Sequence, residues 1–458
     1  MRVGKPDRSL TGLAGLVAVD ELVGVLKMVP ELDRAIGPVK RRERGLTGGQ
    51  VLVGMATGQL VGQDCLAGLD RVRADPACEM LGHAPVPAST TAAQLARRFR
   101  PAQLAGIETG LSAVYTRWLG LVPAQLRGQL VLRDPTIDLD ATDIEVFGRR
   151  KERVGWNYAG VKSGRVHLAS WAQADVPLAM DLLAGNDDVR PGAGGLLRRA
   201  LAVLPAQVCG RPRVRVDAGY FDGALARSAI QAGCDFAIAA KRNTAVWRAA
   251  AAIPEAAWTD ARDMAGGQVA ACDYAPAGWT GEAYTIVRRV KISAEQISAD
   301  PRSRRRRTIP PDQLALALTG NAQHAWAHSF IVTNIPADQG DIAGLEAWFR
   351  RRTSIEDRFR EGKHGGGLHH LPSGDATVNT LWAWGALLAG ALATMLQPLI
   401  GLRPDQALRG RTPTLRRQLL AVAGRILYHA RGITLRLPAG HTALPDALAA
   451  LAALARPG

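Results

Sequence analysis

Five acids and a short run of cations are the residues of this chain whose types and spacing suit chemistry. Asp138, Asp140 and Asp143 stand in TIDLDATDIEV, Asp217 ends RVRVD, and Glu356 lies in RRRTSIEDRFREGKH. An acid inside an apolar strand costs free energy unless it is paired or metal-bound. Carboxylates on rigid elements can grip two divalent ions about 4 Å apart, the arrangement that drives phosphoryl transfer. Arginines complement this, because the guanidinium fork holds phosphate oxygens. On a continuous helix, Phe349, Arg352, Glu356 and Lys363 fall within roughly 60° of one another, on one face. Arg350, Arg351, Arg358 and Arg360 surround that stripe. A lone Glu among so many cations keeps its charge. Each feature also has an ordinary reading: a solvated basic helix, a strand-end cap at Asp217, and a surface acid at Asp140.

The acids need a frame. VLRDPTIDLDATDIEVFG alternates polar and apolar residues as a strand does, and RVHLASWAQA and PLAMDLLAG read as two more strands. A helix, the strand PRVRVDAGYF, a second helix and the strand CDFAIAAKRN follow. That order predicts an α/β domain: a mixed sheet with flanking helices. Asp138 and Asp140 share a strand face and Asp143 points the other way. Asp217 closes its strand, at the end where open sheets gather functional groups. The stretch from Glu346 reads as one helix ending at Gly365–Gly367.

Around this frame, residues 1–125 read as short helices. Ser89, Thr90 or Thr91 is expected to cap one of them, and Arg97, Arg98 and Arg100 close it. Residues 126–244 hold the first part of the sheet domain. Residues 245–328 read as a β-rich insertion containing Trp247, Trp258, Trp279 and Trp326, and residues 329–400 as the second part with the Glu356 helix. Residues 401–458 form a basic C-terminal region carrying Arg403, Arg409, Arg411, Arg416, Arg417, Arg425, Arg431 and Arg436, with RTPTLRRQLLAVAGRILYHARGI read as a basic helix and turn. His364, His369 and His370 lie on a glycine-rich turn whose spacing matches no zinc pattern, and they read as loop residues.

With 458 residues and 47% hydrophobic content, the chain can bury a sizeable core. Lys plus Arg number 57 against 41 Asp plus Glu, a net charge of +16 that points to a polyanion, nucleic acid first. Five dispersed cysteines without a C-x-x-C pair argue against disulfides and structural zinc, as in a reducing, cytoplasmic setting. Leu381 to Leu402 is long enough to span a membrane. Its Ala and Gly content and its interruption by Gln397 and Pro398 favour a helix buried in a soluble core.

Taken together, the strand Asp, the strand-end Asp and the helix Glu resemble bacterial insertion-sequence transposases of the DDE type, whose catalytic domain is RNase H-like. The match is to the branch marked by Tyr, two residues, Arg, three residues, Glu, six residues, Lys. Here the pattern stands as Phe349, Arg352, Glu356 and Lys363, with Asp140-Ala141-Thr142 and Val214-Arg215-Val216-Asp217 as the two Asp motifs. The resemblance covers roughly residues 130 to 400. Phe349 departs from the family's Tyr and lacks its hydroxyl. The resemblance implies a helical N-terminal DNA-binding domain and a β-rich insertion before the Glu helix. It also implies cut-and-paste movement of a DNA element. Asp140, Asp217 and Glu356 would hold two Mg²⁺ ions, with Mn²⁺ able to substitute, and their carboxyls should converge. Phe349, Arg351, Arg352, Arg360 and Lys363 would meet double-stranded DNA at the terminal repeats and target. It further implies a homodimer at synapsis, a nucleoid-associated location and no membrane. A tryptophan of the insertion would stack a flipped base. The rival readings are an RNase H-like nuclease without strand transfer, a decayed DNA-binding protein, and a membrane protein built on Leu381–Leu402.

Overall fold

The computed structural model describes residues 1–42, 44–279, 282–336, 341–401, 411–430 and 432–455. Arg403, Arg409 and Arg431 of the basic C-terminal region lie outside the described residues.

Alternating apolar residues build one sheet of ten strands. In chain order these are β1 (Thr136–Glu145), β2 (Gly155–Trp156), β3 (Lys162–Trp171), β4 (Val176–Ala184) and β5 (Arg213–Val216). Then come β6 (Asp235–Ala239), β7 (Thr259–Asp260), β8 (Gly267–Cys272), β9 (Tyr284–Ser293) and β10 (His324–Thr333). Across the sheet the order is β4, β3, β1, β5, β6, β10, β9, β8, β7, with β2 on the same edge of β3 as β4. β3 runs antiparallel to β1, whereas β5 and β6 join in parallel. Parallel neighbours need crossovers, supplied by helices Arg190–Val203 and Gly223–Gln231.

The segment expected as a separate insertion extends this sheet. β10 pairs with β6 over Ile331–Thr333 and with β9 along its whole length, His324 to Thr333. A single ten-residue strand thus belongs to both regions.

Seven helices precede the sheet among the described residues, the longest being Pro101–Leu121. They share one continuous apolar cluster with the sheet and with helix Ala376–Leu399. That helix is long and apolar enough to cross a membrane, but 89% of its most apolar window is buried inside the fold. It packs on helix Gly48–Leu60 and on β4. Gln59 reaches across to donate to the Trp382 carbonyl at 3.0 Å.

Three local expectations are corrected. The Glu356 stretch is two helices, Ile342–Arg350 and Ser354–Gly365, parted by a tight turn at Arg351–Thr353. The Trp348 carbonyl, which a continuous helix would use one turn later, accepts from the Arg215 guanidinium of β5. Helix Ser89–Ala96 is not capped by Ser89, Thr90 or Thr91, because its N-cap is Ala88, and the Ser89 N–H and hydroxyl instead donate to Asp70 at 2.9 and 2.5 Å. Within RTPTLRRQLLAVAGRILYHARGI, only Thr412–Leu415 is α-helical among the described residues, followed by a wider turn over Arg416–Leu420. Gly424–His429 and Gly432–Arg436 form a hairpin because Leu10–Thr11 offers a strand edge to pair with.

Candidate active site

On β1 the three acids Asp138, Asp140 and Asp143 take different partners. Asp138 is fully buried and gripped by Arg215, Nε at 2.6 Å and Nη2 at 2.8 Å, and it also accepts from Ser354 Oγ at 3.0 Å. It locks β1 to β5 and to the start of the Glu356 helix. Asp143 is committed elsewhere, to Arg165 at 2.7 Å and Asn157 at 2.8 Å. Asp140 is the one of the three that pairs with Arg352. Its Oδ2 accepts from Arg352 Nη1 at 3.2 Å and its Oδ1 from the Ala141 N–H at 2.8 Å.

Asp217 ends β5 and caps the short turn Ala218–Tyr220, accepting from the Gly219 N–H at 2.8 Å. Burial pushes the Asp140 carboxyl up to about 6. Arg352 opposes that rise and the Asp217 charge adds to it. The two aspartates therefore share one electrostatic environment. Glu356 lies in the first turn of its helix, where the helix dipole favours a carboxylate. It is 59% exposed, and its Oε1 stands 3.6 Å from Arg352 Nη2. Arg352 thus bridges Asp140 and Glu356 from the turn that breaks the helix.

The expected convergence of the three carboxyls is not found. Among the described residues, Asp140, Asp217 and Glu356 do not bring one oxygen each within 4.8 Å of one another. The Arg352 guanidinium occupies the space between two of them as their counter-charge. As a donor set they fit a hard divalent cation, being all carboxylate oxygens on two strands and a helix.

The cations divide. Lys363 is half-buried beside β1 and donates to the Asp143 carbonyl at 3.0 Å, and burial lowers its pKa. Arg360 is exposed and pairs with Asp357 at 2.5 Å. Arg351 lines a cleft with Arg133, Arg213 and Arg215. Phe349 packs on the apolar cluster of Ala237, Ile286 and Ile331, at the edge of a pocket shared with Arg242, Arg288 and Arg352.

Residues 2–302 and 315–457 match the family model described as Transposase DDE domain group 1. The chain belongs to this DDE transposase family. Among solved structures, one similar chain is the piggyBac transposase in a synaptic complex with hairpin DNA. The likeness has 10% identity and a TM-score of 0.38, covering 89% of this chain and 80% of that one. No curated protein matches.

Other features of this DDE transposase escaped the sequence reading. Tyr220 is buried beside Asp140 and Asp217, and its hydroxyl has no hydrogen-bond partner among the described residues. Burial first, then those two charges, raise its pKa well above the usual phenol value. The connection from β1 to β3 exposes Phe147, Trp156 and Tyr158 together with Arg149 and Arg150. It is pinned, since the Glu152 N–H donates to the Gly374 carbonyl at 2.9 Å and Lys151 donates to that of Leu371. Alternating aromatic and basic residues in FGRRKERVGWNY were the available signal. The four tryptophans named as stacking candidates are engaged within the protein. Trp258 and Trp326 sandwich the Arg289 guanidinium at 4.1 and 4.3 Å. Trp247 packs on Phe330 and Trp279 on Phe221, each with ring centroids 5.0 Å apart.

Proposed function

We propose that this protein moves an insertion sequence by cut-and-paste transposition, cutting DNA at the element ends and joining the freed 3′ ends to a target. The observation that carries the reading is the placement of Asp140, Asp217 and Glu356 on two adjacent strand segments and a helix, with Arg352 between Asp140 and Glu356. The strand order β4-β3-β1-β5-β6, with β3 antiparallel to β1, supports an RNase H-like catalytic domain.

In this reading Asp140, Asp217 and Glu356 hold two Mg²⁺ or Mn²⁺ ions, which supply an activated nucleophile and neutralise the leaving oxygen. Arg352 holds the two carboxylates apart until DNA enters, then turns its guanidinium to the scissile phosphate. Lys363, anchored to the β1 backbone, and Arg351, in the adjacent cleft, contact neighbouring phosphates. Arg360 contacts the backbone from the exposed face of its helix. Phe349 supports the Arg352 turn by packing and donates nothing to phosphate. The pinned β1–β3 connection offers Phe147, Trp156 and Tyr158 as stacking surfaces where DNA strands separate. Pairing of two ends calls for a homodimer at synapsis.

Purified protein, DNA flanking its gene and Mg²⁺ or Mn²⁺ provide the test. Wild type should cut at the element ends and Glu356→Gln should not, while both bind the ends with similar affinity. Cutting retained in Glu356→Gln would overturn the acid assignment. Cutting without any joining to a target would favour an RNase H-like nuclease.

A further inference from the structure

We infer that Asp64, His369 and His370 form a binding site for a divalent transition-metal ion of the Zn²⁺ type, separate from Asp140, Asp217 and Glu356. One ligand atom from each of the three lies within 4.8 Å of the other two. His369 Nε2 stands 3.5 Å from Asp64 Oδ2, and His370 Nε2 stands 3.7 Å from the same oxygen. Those separations are long for direct hydrogen bonds. They approach the donor–donor spacing of about 3.4 Å that bonds of about 2.1 Å make around a tetrahedral ion.

The second nitrogen of His369 supports the assignment. Its Nδ1 lies 2.7 Å from the Lys363 carbonyl, an oxygen that can only accept. Nδ1 therefore carries the hydrogen, and in the neutral ring the Nε2 lone pair faces Asp64. A backbone carbonyl fixing the far nitrogen is the usual support of a metal-bound imidazole. Two imidazoles and one carboxylate select a transition ion over Mg²⁺.

The site is also held in shape by its backbone. Gly367 has φ +74°, and a Cβ there would meet the Gln63 carbonyl oxygen at 2.8 Å and Asp64 Cα at 2.9 Å. The histidine loop therefore lies directly on the Asp64 turn. Leu368 is fully buried, and Trp382 Nε1 donates to the Gly367 carbonyl at 3.1 Å. Asp64 follows helix Gly48–Leu60 and both histidines follow the Glu356 helix. A bound ion would fasten the end of that helix to the N-terminal helical region. Three protein ligands at 42–50% side-chain exposure leave the fourth position to water.

The test is titration of EDTA-treated, dialysed full-length protein with ZnCl₂ by calorimetry, and with CoCl₂ by visible absorption. One tight equivalent should bind at micromolar affinity or better, ahead of any weaker uptake by the Asp140, Asp217 and Glu356 carboxylates, with the absorption of low-symmetry Co²⁺. Asp64→Asn and the double variant His369→Gln/His370→Gln should weaken binding at least tenfold, while melting like wild type in EDTA. Asp140→Asn and Glu356→Gln should bind Zn²⁺ as wild type does, whether or not the protein proves to cut DNA. Failure of wild type to bind one equivalent at 100-fold excess Zn²⁺ over micromolar protein would overturn the site. So would unchanged binding in the double histidine variant, or loss of binding in the Asp140 and Glu356 variants instead.

Discussion

Asp140 is an acid that the fold holds at a cost. An isolated Asp has a pKa of 3.8, and burial beside Asp217 brings this one to about 6 despite Arg352. A carboxyl raised on folding binds its proton more tightly in the native state. Its ionisation therefore subtracts nothing below pH 3.8, progressively more up to pH 6, and a constant amount above. The gap corresponds to about 3 kcal/mol at most. In EDTA, Asp140→Asn should thus be more stable than wild type at pH 7.5, and the advantage should close as pH falls towards 4. Denaturant melts at several pH values read this directly, and an advantage independent of pH would contradict it. Mg²⁺ should then stabilise wild type more than Asp140→Asn, because the cation would relieve the penalty that the amide never carries.

One element, β1, carries a structural acid and the proposed catalytic one two residues apart. Removing one partner of the buried Asp138–Arg215 pair strands a charge at a cost of about 3–5 kcal/mol. Asp138→Asn should lose that much stability by denaturant titration, and Asp138→Asn/Arg215→Met should regain much of it. Equal destabilisation in the single and double variants would show that the pair is not coupled. The alternation of TIDLDATDIEV revealed the strand and the face shared by Asp138 and Asp140. It could not separate them, because the difference lies in Arg215, 77 residues away. The helix break escaped notice for the same reason, since the group that takes the Trp348 carbonyl comes from β5, 133 residues away. Local spacing placed Glu356 correctly on a helix but misjudged the common face with Phe349, which the Arg351–Thr353 turn interrupts. The i,i+4 spacing of Arg352 and Glu356 was legible, whereas the second contact of Arg352, with Asp140, 212 residues away, has no signature in local sequence.

At the scale of the molecule, a net charge of +16 sets the general attraction for DNA, and that part is screened by salt. Stacking on Phe147, Trp156 and Tyr158 is not. The triple alanine variant should bind intact duplex within about twofold of wild type. It should bind end fragments with unpaired bases at least tenfold more weakly, since each stacked base contributes about 1–3 kcal/mol. That gap should persist as salt rises while both affinities fall. Equal loss on duplex and unpaired DNA, read by fluorescence anisotropy, would reduce the aromatics to ordinary surface. The small sheet has a different consequence. Leu10–Thr11 pairs with Gly424–His429, Arg425 reaches Asp7 across 418 residues, and helix Leu16–Val25 packs on Ala443–Ala455. During synthesis at about 5–20 residues per second, Leu10–Thr11 waits on the order of a minute for its partners. Until those partners are made, the Leu10–Thr11 strand edge is unfinished and the face of helix Leu16–Val25 is uncovered. The translation time of the 418 residues that separate Asp7 from Arg425, more than any local code, decides how long that vulnerable state lasts.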